Sequence, residues 1–181
     1  MKKLFLLLLT VSLSLTAFSQ YYHDAIGLRS NDYYVGLSFK KFTSDRIALD
    51  FTLNADFDSG FGLTGLYEIH EPTGFMDRLN WYYGFGGHVS LWSGEYYSYG
   101  DYSIIGLGVD GVVGIEYSVE NIPLAFSLDY IPSFSVVTQT KPENHPDNWA
   151  WDGRSSGFRF NNWTLGVKYT FSLSEEEKQV E

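Results

Sequence analysis

The chain has 181 residues, enough for one closed domain, and carries 12 Lys and Arg against 22 Asp and Glu, a formal net charge of −10. Nothing supplies the basic stripe that phosphates require, so nucleic acid is not an expected partner. With Cys 0, disulfide scaffolds, thiolate metal sites and cysteine nucleophiles are excluded, while 18% aromatics and 18 Gly favour strands and tight turns.

Residues 1–19 have the pattern of a secretory signal peptide. Lys2 and Lys3 form a positive start, Leu4 to Leu15 is apolar, and Ala17-Phe18-Ser19 places small residues at the two positions a signal peptidase reads. The apolar stretch is shorter than the ~20 residues of a membrane-spanning helix. No Cys follows the cleavage region, which excludes a lipid-anchored lipoprotein. Cleavage after Ser19 leaves 10 basic residues (12 less the two lysines) against 22 acidic ones, a charge of −12.

From there the period is two. Ile26 and Leu28 oppose Gly27 and Arg29 in a short first segment, Ala25 to Ser30, and Val35, Leu37 and Phe39 oppose Gly36, Ser38 and Lys40. From Arg46 to Phe57, Ile47, Leu49, Phe51 and Leu53 alternate with Ala48, Asp50, Thr52 and Asn54. Phe61, Leu63, Tyr67 and Ile69 oppose Gly62, Thr64, Glu68 and His70; Trp81, Tyr83, Phe85, Val89 and Leu91 oppose Asn80, Gly84, Gly86, His88 and Ser90. Ile105, Leu107, Val109, Val113, Ile115 and Tyr117 oppose Gly106, Gly108, Asp110, Gly114 and Glu116. Leu124, Phe126, Leu128 and Tyr130 oppose Ala125, Ser127 and Asp129, and Trp163, Leu165, Val167, Tyr169 and Phe171 oppose Asn162, Thr164, Gly166, Lys168 and Thr170. Alternation of this kind marks strands, and it predicts eight of them.

The polar face is unusual. It is dominated by Gly, Ser, Ala, Asn and Asp rather than the Lys, Glu and Thr of a water-facing sheet, and small side chains suit a confined interior. The apolar face is bulky and rich in aromatics, the composition of a lipid-facing band. At ~3.4 Å per residue and a tilt near 45°, about ten residues cover the ~25 Å apolar band. Connections sort into two sides: Thr43 to Asp45, Glu71 to Arg78 and Glu120 to Pro123 on one, and Asn31-Asp32, Asp58 to Gly60, Ser93 to Tyr102 and Gln139 to Ser156 on the other. Short periplasmic turns with longer outer loops follow that arrangement. The expected fold is all-β, an eight-stranded antiparallel up-and-down transmembrane β-barrel over residues 20–171, followed by an acidic, disordered periplasmic tail, 172–181.

The last strand, Thr164-Leu165-Gly166-Val167-Lys168-Tyr169-Thr170-Phe171, resembles the C-terminal assembly signal of gram-negative outer-membrane barrels, with Thr164, Gly166, Tyr169 and Phe171 at its polar, glycine and aromatic positions. The stretches LTGLYEIH, LNWYYGFGGH, IGLGVDGVVGIEY and IPLAFSLDYIPSF are also similar to a widespread family of small exported barrels. The resemblance spans essentially the whole mature chain and implies an OmpA-like or OmpX-like barrel. It implies Sec-type export, insertion by the barrel-assembly machinery, and outer-membrane lipids and lipopolysaccharide as surroundings. The chain departs from the family in that ten residues follow Phe171.

Several patterns invite chemistry. Gly106-Leu107-Gly108-Val109-Asp110-Gly111 matches GxGxxG, but strand alternation continues after it where a dinucleotide site needs a helix, so lumen crowding or strand curvature is the better account. Asp50, Glu68, Asp110, Glu116 and Asp129, with Arg29, Lys40 and Lys168, all fall on the inner face and are expected to form a structural charge network. His88 and Ser90, two apart on that face, have no third partner at a recognisable spacing for a lipid-modifying hydrolase. His23, His70 and His145 stand isolated and make no metal cluster, and no EF-hand spacing suggests calcium. Asn162-Trp163-Thr164 is a glycosylation sequon inside a predicted strand. Tyr96, Tyr97, Tyr99, Trp149 and Trp151 in the two longest loops are candidate surface-recognition residues, or caps that extend the aromatic girdle. The expected role is non-catalytic, without cofactor or metal: envelope integrity or surface interaction by a monomer. The alternatives are a narrow channel, a lipid-modifying enzyme and a soluble lipocalin-like binder.

Overall fold

The computed structural model describes residues 22–57, 60–95, 101–140 and 156–171. The export segment 1–19, the tail 172–181 and the loop residues Tyr96, Tyr97, Tyr99, Trp149 and Trp151 lie outside the described residues. Ten strand segments are present: β1 (Asp24–Ser30), β2 (Tyr34–Ser44), β3 (Ile47–Asp56), β4 (Gly60–Pro72), β5 (Leu79–Glu95), β6 (Asp101–Ser118), β7 (Leu124–Tyr130), β8 (Ser133–Thr140), β9 (Gly157–Arg159) and β10 (Trp163–Phe171). All pairings are antiparallel, and β1 bonds β10 as well as β2, which closes the sheet. Because β7 with β8 and β9 with β10 are single ribbons, the closed barrel has eight strands. Among the described residues, no helix is long and apolar enough to cross a membrane.

The end that carries the described termini also carries the turns after β2, β4 and β6; it is called the near end, and the opposite one the far end. Both hairpin strands bordering the fifth connection run further than expected. β5 reaches Glu95 and β6 starts at Asp101, so half of the loop expected over Ser93 to Tyr102 is ladder, and residues 96–100 lie outside the described residues.

Two irregularities set the wall. The sequence pattern ends a strand at Tyr130, yet the ribbon resumes as β8 after Ile131 and Pro132. Its register against β6 is unchanged, with Val113 facing Tyr130 and Asp110 facing Ser133. Proline has no N–H for the ladder, although its carbonyl still accepts from Gly111 N–H at 2.9 Å. The second irregularity does change register. Trp163 faces Tyr130 while Arg159 faces Ser133, so three residues, 160–162, stand against two, 131 and 132. This β-bulge inverts the alternation. Asn162, Thr164 and Lys168 point inward at even positions, whereas Arg159 of β9 turns inward at an odd one.

Apart from a register shift between Phe42 and Ser44 where β2 meets β3, the alternation holds elsewhere. In β3, Ala48, Asp50 and Thr52 are buried while Phe51 and Leu53 are 47% and 57% exposed. Leu28, Leu63, Phe85, Leu107, Val113 and Leu165 continue the exposed apolar band around the wall. Gly106 and Gly108 of the GxGxxG stretch face inward, opposite Ser90 and His88 of β5. A Cβ on Gly106 would stand 2.6 Å from Ser90 Oγ, and one on Gly108 would overlap the His88 ring. The glycines make room for the side chains of the facing strand, and the strand continues past them without a helix.

Candidate functional site

The lumen divides along its axis. At the near end Tyr22, Ala25, Phe42, Ala48 and Ala125 form an apolar plug, with the Tyr22 and Phe42 rings 5.2 Å apart, edge to face. Above it lies a charge network. Arg29 Nη2 is 3.2 Å from Asp50, 3.1 Å from Asp129 and 3.8 Å from Glu68. Lys40 Nζ is 2.8 Å from Glu68 and 2.9 Å from Glu116, and it sits 4.5 Å over the Tyr82 ring. Lys168 pairs with Asp50, and the Tyr82 hydroxyl donates to Asp129. All seven charged side chains are buried.

Hydroxyls complete the shell. Ser38 donates to Asp50 at 2.8 Å, Thr164 to Asp129 at 3.3 Å, and Tyr22 to Glu116 at 2.5 Å. Tyr22 precedes β1; burial, then the adjacent Glu116 carboxylate, push its phenol well above the ordinary tyrosine range, so it remains a donor. His70, isolated in the sequence, stacks on Tyr82 at 4.5 Å and reaches Glu68 at 3.0 Å.

Seven of the eight charged residues expected on the inner face therefore meet in one cluster. The eighth, Asp110, does not. Toward the far end, Leu66 after Glu68, Ile131 after Asp129, and Val112 beyond Gly114 on β6 pack with Tyr82 as an apolar layer. Beyond this layer lies a cavity of about 80 Å³. Asp110 lines it and contacts His88 Nδ1 at 2.8 and 2.9 Å. His88 Nε2 is 2.9 Å from the Ser135 hydroxyl. Ser135 belongs to β8, the segment beyond the proline that the sequence pattern does not assign. Ser90, the residue that spacing pairs with His88, lies instead against Gly106. Around the same cavity Trp92 Nε1 donates to Asp56 at 3.1 Å and Asn54 Nδ2 to Thr64 at 3.1 Å.

The residues matched to the assembly signal separate by face. Thr164 and Gly166 point into the lumen, and Gly166 lies against Ser127. Tyr169 and Phe171 point outward at the near end, with ring centroids 6.4 Å apart. In the sequon Asn162 and Thr164 are both buried, which denies access to a glycosylating enzyme. Among the described residues no group of His, Asp and Glu is arranged to hold a metal ion. No protein-family model matches the chain, and no curated protein matches it significantly.

Proposed function

We propose that the chain is an integral outer-membrane β-barrel of the small OmpA-like or OmpX-like kind, exported by a Sec-type route and inserted by the barrel-assembly machinery. It contributes to envelope integrity or surface contact as a monomer, surrounded by outer-membrane lipid and lipopolysaccharide. The observation that carries this reading is the inverted wall: buried Arg, Lys, Asp and Glu inside, and a continuous band of exposed Leu, Val, Ile and aromatic side chains outside. Soluble monomers rarely expose contiguous apolar patches beyond a few hundred Å². A wall of this polarity matches a lipid-facing band around a polar lumen. The 17 residues of β5 and 18 of β6 cover roughly 40 Å at the usual tilt, more than the apolar band requires, so this hairpin extends past the bilayer surface.

The charge network serves as scaffold in this reading. With its cations and carboxylates in mutual contact it fills the lumen, which argues against a channel, and its polarity argues against a lipocalin-like apolar ligand. Fractionation with unheated and boiled gel samples tests the proposal. The expected result is recovery with outer membranes, detergent dependence and a change in migration on boiling. A mature chain that stays folded and monodisperse in plain buffer overturns it. Planar-bilayer recordings of the wild type are expected to show no conductance steps. Deletion within 96–99 or 149–151 is expected to reduce surface binding without loss of the barrel.

A further inference from the structure

We propose that the far half of the lumen is a hydrolytic site, with Ser135 as nucleophile, His88 as its general base and Asp110 as the residue that positions His88, acting on esters of small, acetyl-sized acyl groups. This departs from the non-catalytic expectation and concerns the cavity alone; the charge network keeps its scaffold role.

The geometry is that of an activated serine. A hydroxyl becomes a nucleophile when a base within hydrogen-bond reach takes its proton and a third group orients that base. Ser135 Oγ is 2.9 Å from His88 Nε2, and the opposite ring nitrogen lies 2.8 Å from Asp110 Oδ1. Asp110 is buried, whereas the His88 side chain is 16% exposed. With Nδ1–H donated to Asp110, the free lone pair of Nε2 faces the serine; that tautomer is the one a general base needs.

The three residues come from three strands, β5, β6 and β8, and local features converge on them. Gly108, directly across from His88, leaves the space that its imidazole occupies. The β9–β10 bulge turns Arg159 into the cavity, where alternation continued from β10 would have placed it outside. Bulges commonly re-aim a side chain beside active sites. Arg29 also lines the cavity, but Asp50 and Asp129 hold its guanidinium. Arg159 lines the same cavity without a carboxylate among the described residues holding it, its guanidinium 5.5 Å over the Tyr33 ring, and is the cation assigned to the developing oxyanion.

Size and polarity set the substrate class. The cavity is small, about 80 Å³, which suits a short acyl group rather than a long one. Among the described residues, Asn54 Oδ1 and Arg29 Nε find no hydrogen-bond partner, and both residues line this space, which favours a polar occupant over a hydrocarbon chain.

The reaction balances with water alone. Ser135 Oγ bonds to the carbonyl carbon as its proton passes to His88 Nε2. The ester C–O bond then breaks, and the departing alkoxide takes that proton and leaves as the alcohol. Water attacks the acyl-serine, losing a proton to His88; the acid departs and the proton returns to Ser135 Oγ.

The test uses the full mature chain folded in detergent, with p-nitrophenyl acetate as substrate and a small fluorophosphonate as covalent probe. Near-UV circular dichroism establishes the fold of every sample. The expected result is a phosphonyl adduct on Ser135 in the wild type, located by peptide mass spectrometry, and ester turnover abolished in Ser135→Ala. His88→Gln is expected to slow both reactions about 100-fold or more. Asp110→Asn is expected to lower the rate of both reactions, and Asp110→Glu should restore part of it. A folded wild type with no adduct, an adduct on Ser90 or Ser133, or labelling unchanged by His88→Gln overturns the proposal. The wild-type labelling needs no variant, so it decides for or against the site even where a mutant misfolds.

Discussion

In the near half of the lumen, three cations and four carboxylates touch one another and His70 closes the set; in the far half, the polar groups of the same strands are neutral or singly paired and surround a cavity. Both halves come from one alternating pattern. The difference lies in side-chain length, since Arg29, Lys40, Glu68, Lys168 and Tyr82 reach the axis, while Ser133, Ser135, Thr64 and Gly62 stop at the wall. A narrow barrel is thus filled where the inward residues are long and left hollow where they are short. Sealing and chemistry can occupy the same tube at different heights.

Substitutions sharpen this contrast, because the filled half should be far more sensitive than the hollow one. Asp50→Ala, which leaves Arg29 and Lys168 facing an empty position, is expected to cost about 3–5 kcal/mol in urea unfolding of the detergent-folded protein. Tyr82→Phe keeps the ring stacked on His70 but removes the donor to Asp129, and should cost about 1.5–3 kcal/mol by the same measurement. In the far half, Asn54→Ala loses one neutral hydrogen bond to Thr64, worth about 0.5–1.5 kcal/mol. Pro132→Ala should change stability by no more than about 0.5 kcal/mol, since the register on either side of the break already agrees. A far-half variant that destabilises as much as Asp50→Ala would show that the cavity, too, bears on the fold.

The same contrast explains what could be read from the chain. Period-two alternation assigns faces without knowledge of partners, so the inward positions of Asp50, Glu68 and Lys168 are visible in sequence. Their pairings depend on register and closure, which bring Lys168 of β10 to Asp50 of β3 across 118 residues. Ser135 is not legible because Pro132 interrupts its ribbon, so the alternation read as far as Tyr130 is not carried on into β8. Arg159 is hidden for a different reason: the bulge inverts parity over three residues, and parity carried back from Leu165 and Trp163 would place it outside. The inward Tyr82, Leu66 and Val112 are concealed among apolar neighbours on both sides, where alternation has no contrast.

The charge cluster takes one member from every ribbon: Arg29 from β1, Lys40 from β2, Asp50 from β3, Glu68 from β4, Tyr82 from β5, Glu116 from β6, Asp129 from β7 and Lys168 from β10. Arg29 meets Asp50 and Lys40 meets Glu68 within the first four strands, whereas Asp129 reaches Arg29 and Lys168 reaches Asp50 only once β10 bonds β1. The seam between β1 and β10 works as a latch for the set, since its closure brings the last partners to the first.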